Sequence, residues 1–102
     1  MGLTVVRQNE SGKVIDRIDD SQNLLTDLLP NDDGSFFCLR FIDWYGDTIF
    51  NRLQIKEQFL PEWKRLFRQS LNEEQRRLLR SIEKVAERCL DQPHQYLKFI
   101  GD

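Results

Sequence analysis

Proline, glycine, cysteine and histidine are all scarce: three, five, two and one in 102 residues. With 39% hydrophobic and 31% charged residues, this scarcity excludes collagen-like and low-complexity chains and fits a folded domain. Two cysteines cannot build a disulfide-rich scaffold. Cys38, Cys89 and His94 together supply too few ligands for a four-ligand zinc site. Cys38 sits in an apolar run and Cys89 on an apolar helical stripe, so both are expected as buried free thiols. No run approaches eighteen apolar residues, so no membrane-spanning helix is expected. Gly2, Gly12, Gly34, Gly46 and Gly101 form neither a GxGxxG nor a GxxxxGK loop, and no phosphate-cradling turn follows. No G-x-S-x-G is present either. A serine triad would have to recruit His94, which reads instead as a polar turn residue before the last strand. The start, MGLTVVRQNE, lacks the basic-then-apolar order of a signal peptide, and Val6 stands where a myristoylation signal needs Ser or Thr. The expectation is a cytoplasmic protein with no cofactor and no bound metal.

What is present is a balanced but uneven charge. Fifteen basic and seventeen acidic residues give a net charge of −2, which argues against bulk coating of nucleic acid. Residues 1–50 carry four basic and nine acidic side chains, and residues 51–102 carry eleven and eight. The halves therefore differ in sign, at −5 and +3. The length suits one domain, residues 1–102, which buries about two thirds of its unfolded surface.

Hydrophobic patterning predicts the elements. Residues 3–7 and 13–18 read as strands joined by a turn at Asn9–Gly12, with Gly12 at positive φ. Asp19, Asp20 and Ser21 suit a helix start, and Leu24, Leu25, Leu28 and Leu29 extend a short helix to Pro30. Residues 36–42, the most apolar run, read as a central strand covered on both faces. A tight turn with Gly46 at positive φ then leads to a fourth strand from Thr48. A helix follows to Gln69, with Pro61 inside it either starting a second helix or kinking one; a short turn over 53–58 running into the main helix is the expected form. Asn72 or Ser70 caps a long helix, residues 70–73 matching a capping box, along Leu78, Leu79, Ile82, Val85, Ala86, Cys89 and Leu90. Residues 96–100 form the last strand. The order is β-β-α-β-β-α-α-β: an α+β fold with a small, mostly antiparallel sheet and helices packed on it.

Two surfaces are candidate sites. Asp32, Asp33, Asp43 and Asp47, with Trp44 and Tyr45, form a possible acidic interaction surface, of the kind an immunity or inhibitor protein presents to a basic partner. The pair Asp43 and Asp47 is also where an acid–base site or ligand pocket would lie, should the protein be a small enzyme or ligand binder. Lys64, Arg65, Arg68, Arg76, Arg77 and Arg80 form a possible basic surface for an acidic protein or nucleic acid. The interleaved Glu62, Glu73, Glu74 and Glu83 make a solvated helix face the simpler account. No catalytic, cofactor or metal residue is assigned. The reading that follows is a small non-enzymatic protein-interaction or regulatory domain of bacterial type, with a protein partner or a second copy, and no membrane. The apolar character of 36–42 beside an uncovered sheet face is the main reason to expect association.

Overall fold

Valine and isoleucine in the first twenty residues fit a pleated, half-buried surface. In the computed structural model, which describes residues 2–30 and 35–101, they form the hairpin β1 (Thr4–Asn9) and β2 (Val14–Asp19). The Asn9 Oδ1 accepts from the Ser11 and Lys13 N–H groups at 3.0 and 2.9 Å, and Gly12 takes φ 87° as the turn requires.

β3 (Asp47–Phe50) and β4 (Gln95–Ile100) complete a four-stranded sheet in the order β2-β1-β4-β3, antiparallel throughout. The last strand thus enters between the first and the third, closing the chain over its full length. One face carries Leu3, Val5, Phe50, Leu97 and Phe99 into the core. All helices lie on that face. The expected α+β architecture, mostly antiparallel with helices on the sheet, is what forms.

Residues 36–42 are not a strand. They form an irregular loop with a 3-10 turn at Leu39–Phe41, so β3 pairs with β4 and no hairpin precedes it. Phe36, Cys38, Leu39 and Ile42 are buried, while Phe37, Arg40 and Phe41 are exposed. That spacing of three and four is helical, and it cannot be served by a strand's alternation. Gly46 does not take positive φ either; a side chain there would meet the Asp43 carboxylate at 2.7 Å. The helix expected over 21–29 is one 3-10 turn, Leu24–Asp27. Asn23 at φ 56° blocks a regular start, and the buried Asp20 carboxylate accepts the Leu24 and Leu25 N–H groups at 2.8 Å each.

The region around Pro61 is one uninterrupted helical stretch. α1 (Arg52–Gln54) leads into a π turn over Ile55–Phe59, then α2 (Leu60–Arg65), then a 3-10 turn at Leu66–Arg68. Pro61 lacks an N–H, and its ring crowds the carbonyl four residues back. The wider π turn, in which the Leu60 N–H donates to the Ile55 carbonyl, accommodates both defects within one helix. α3 (Glu73–Arg88) begins with a reciprocal capping box between Asn72 and Gln75, so of the two candidate caps Asn72 rather than Ser70 is used. The core between these helices and the sheet is aromatic. The Phe59 ring stacks on Trp63 at 5.2 Å and lies 5.3 and 5.8 Å from Phe50 and Phe99. The Trp63 Nε1–H donates to the Leu79 carbonyl at 2.9 Å, which ties α2 to α3.

Candidate functional site

Glu62 and Arg65 are three residues apart and therefore share one face of α2. Both reach the 35–41 loop. The Glu62 side chain is buried, and its carboxylate accepts the Phe37, Cys38 and Leu39 N–H groups at 2.9, 2.9 and 3.1 Å. Arg65 donates to the Ser35 carbonyl at 3.0 Å, and its guanidinium lies 4.1 Å over the Phe36 ring. An anion on successive N–H groups favours a turn over an extended strand. This is the physical reason why the most apolar run of the chain leaves the sheet.

The turn points Phe37 and Phe41 outward, 60% and 62% exposed, with the Arg40 guanidinium 4.7 Å over the Phe41 ring. Leu53 of α1, 68% exposed, lies across from them. These three side chains and the Ile49 main chain of β3 line an open groove of about 660 Å³, with Thr48, Gln54 and Glu57 as polar neighbours. The Ile49 side chain, 49% exposed, stands on the other face of the edge strand beside Lys98, because its neighbour Phe50 faces the core. Three of the large exposed apolar side chains among the described residues are gathered in the groove. Single exposed apolar residues need no explanation, but a contiguous patch marks a contact surface.

The groove also runs along a free sheet edge, since β3 is the end strand. Asp47 stands opposite Ile100, and the Gly101 N–H donates to the Gly46 carbonyl at 2.7 Å. Antiparallel ladders alternate, so the main-chain groups of Thr48 and Phe50 face β4, and those of Asp47 and Ile49 face outward.

The residues expected to form an acidic surface divide. Asp32 and Asp33 lie outside the described residues. Asp43, Trp44, Tyr45 and Asp47 do share one turn, but the two carboxylates are engaged. Asp43 Oδ1 accepts the Tyr45 N–H at 2.8 Å, and Asp47 pairs with Lys98 at 3.3 Å. Trp44 packs against the core, whereas Tyr45 is exposed.

Of the basic candidates, Arg76, Arg77 and Arg80 line a shallow recess of about 330 Å³ on α3 with Glu73 and Lys84. Arg77 pairs there with Glu73 at 3.2 Å. Lys64 and Arg68 are exposed, and Arg65 is turned to the loop. A third recess, about 420 Å³ between β2 and α3, has a mixed lining in which Arg17, Asp19, Glu74 and Arg77 stand beside Leu24 and Leu78. The Arg17 guanidinium and then the Thr4 hydroxyl hold the Asp19 carboxyl below its usual value.

Cys38 and Cys89 are buried free thiols. Burial pushes each up to about 11, helped at Cys38 by the Glu62 carboxylate. Among the described residues no three His, Cys, Asp or Glu side chains gather to hold a metal ion. His94 sits on an exposed turn at φ 63°, with Nδ1 3.5 Å from Glu10. Among the described residues no helix is long and apolar enough to cross a membrane.

Phe37, Phe41, Ile49, Leu53, Glu62 and Arg65 were not assigned to a binding surface by sequence, apart from Arg65 as a basic candidate. The usable signals were the i, i+3, i+4 spacing of Phe37, Arg40 and Phe41, and the i, i+3 pair Glu62 and Arg65. No family model, curated protein or solved structure matches the chain.

Proposed function

We propose that this protein is a small non-enzymatic protein-interaction domain whose binding surface is the groove beside β3. The observation that carries this reading is the convergence of Phe37, Phe41 and Leu53 around one groove that runs along the Ile49 main chain of a free sheet edge. Aromatic and aliphatic anchors in a concave site, ringed by polar groups, are the usual makings of a protein contact. The loop that presents two of them is held by a buried carboxylate, so the anchors are ordered before a partner arrives, which lowers the entropy cost of binding. Asp43 and Asp47 are engaged by Tyr45 and Lys98, so the groove rather than the acidic turn carries the reading.

The test is site-specific photo-crosslinking in the native host. A benzoylphenylalanine is placed at position 53, in the groove, or at position 80, on the basic face of α3. A discrete protein adduct from position 53, absent from position 80 and lost when Phe41→Ser is added, is the expected result. Adducts at position 80 with none at position 53 would overturn the proposal.

A further inference from the structure

We propose that the occupant of the groove is a second copy of this chain, joined by antiparallel pairing of β3 with β3 across a two-fold axis. The proposal rests on the groove being the binding surface and names its partner.

The two edges of the sheet differ. β2 exposes Val14 and Ile15, but it carries three charged residues, Asp16, Arg17 and Asp19, all ion-paired, and its pairing with β1 is interrupted by a register shift at Arg7/Gln8, devices that blunt an edge. β3 reads Asp-Thr-Ile-Phe, and among the described residues its one charge is neutralised by Lys98 at 3.3 Å. It has no proline, no bulge and no unpaired lysine. An edge that lacks all of these devices is open to a further strand.

The main chain is self-complementary. The outward-facing residues of β3 are Asp47 and Ile49. Setting Asp47 against the partner's Ile49, and Ile49 against the partner's Asp47, centres the axis on Thr48. Each pair then exchanges both N–H···O bonds. This is an isologous contact, in which one patch serves both subunits. The neutralised Asp47 removes the like-charge repulsion that two acidic edge residues would otherwise bring together.

The rim agrees. Arg40 and Glu57 flank the groove, and neither has an ion-pair partner among the described residues. A patch with one free charge of each sign meets its own copy without net repulsion, whereas a single-sign patch would select a foreign partner of the opposite sign. The area fits a reversible contact. An aromatic side chain spans about 150–250 Å², so half-exposed Phe37 and Phe41 with Leu53 and Ile49 offer roughly 400 Å² per copy. Two copies bring roughly 800 Å² of apolar surface, below the roughly 1,200 Å² of stable specific interfaces, and the strand backbone and rim add to it.

The test is sedimentation velocity from about 1 to about 200 µM, a range that spans weak and stable contacts, on the wild type, Ile49→Glu, Phe41→Ser and Arg80→Glu. An acid at position 49 stands directly opposite the partner's Asp47, where like charges oppose pairing. Circular dichroism checks that each variant is folded. Ile49 and Phe41 are exposed in one copy, so neither change removes core packing. The expected result is a wild-type species of twice 12.2 kDa, weakened at least about tenfold by Ile49→Glu and by Phe41→Ser, and unchanged by Arg80→Glu. Slowed exchange of the Ile49 amide as concentration rises is expected alongside. A monomer at every concentration would overturn the second copy while leaving the groove to its crosslinking test, where an adduct with a different protein would then name a foreign partner. A dimer indifferent to Ile49→Glu and Phe41→Ser would overturn β3 pairing.

Discussion

Replacing Glu62 by alanine removes one side chain and strands three N–H groups. Those of Cys38 and Leu39 are buried, and that of Phe37 is partly so. A buried N–H left without an acceptor costs about 1–3 kcal/mol. Water reaches the Phe37 position most readily, so the two buried groups set the scale. The expected loss is about 3–5 kcal/mol, a large part of the roughly 5–15 kcal/mol that stabilises a domain of this kind. Glu62→Gln keeps one acceptor oxygen but turns an amide NH₂ toward N–H donors and gives up the charge. It is expected to lose about 1.5–3 kcal/mol, or roughly 8–20 °C in melting temperature. Urea unfolding followed by circular dichroism reads both values, and an unchanged m-value excludes a collapse of the native state. A loss below about 1 kcal/mol for alanine, or equal losses for the two variants, would refute the capping argument. The same variants bear on function, because the loop that Glu62 holds carries Phe37 and Phe41. Glu62→Gln is expected to weaken self-association while the protein remains fully folded.

Other consequences follow from the same structure. Cys38 and Cys89, each raised to about 11 by burial from an ordinary 9.0, favour the folded state while protonated. Their contribution is whole below about pH 9 and declines as the pH rises toward 11, so urea midpoints should fall over that interval, and less in a Cys38→Ala, Cys89→Ala double variant. Thiol labelling at pH 8 should be slow in the folded protein and fast in urea; rapid labelling of the folded state would show that the thiols are accessible. Gly101→Ala places a Cβ 2.5 Å from the Trp44 backbone, where nothing flexible can yield. A loss of about 1–3 kcal/mol is expected in urea unfolding, and a neutral result would mean that the end of β4 does not pack on that turn. Trp63→Phe removes the donor to the Leu79 carbonyl and leaves a void beside Phe59. It should cost about 2–4 kcal/mol by the same assay, and a smaller loss would count against the bond that joins α2 to α3.

The strands and the long helix were legible because their signals are local. Val5 and Ile18 fit a pleated surface, Gly12 marks a turn, and α3 repeats its apolar face for sixteen residues. The 36–42 run was misread because its conformation is decided elsewhere. Its composition suits a strand, but Glu62, more than twenty positions away, supplies the carboxylate that captures its N–H groups. A long-range hydrogen bond leaves no mark on the local pattern it overrides. The leucine segment was misread for a related reason: Asp20 was recognised as a cap, but the left-handed Asn23 limits the helix to one turn. At Pro61 the expected short turn running into the main helix is close to what forms, with Pro61 in the first turn of α2; the local pattern did not show that the turn is a π turn over Ile55–Phe59. The groove was legible only in part. The apolar excess around 36–42 pointed to a strand beside an uncovered sheet face, but the groove is lined by Phe37 and Phe41 outside the sheet and by Leu53, which local patterns left unremarked. The acidic and basic clusters drew notice because charge is conspicuous in a sequence, and much of that charge is engaged in the fold.

The most direct measurement is a backbone amide spectrum of isotope-labelled protein, recorded dilute and concentrated, and with any partner recovered by crosslinking from position 53. The account predicts shift changes confined to residues 37–41 and 47–57, with the α3 amides of Arg76, Arg80 and Lys84 unmoved. Changes centred on α3, with the groove amides fixed, would contradict it.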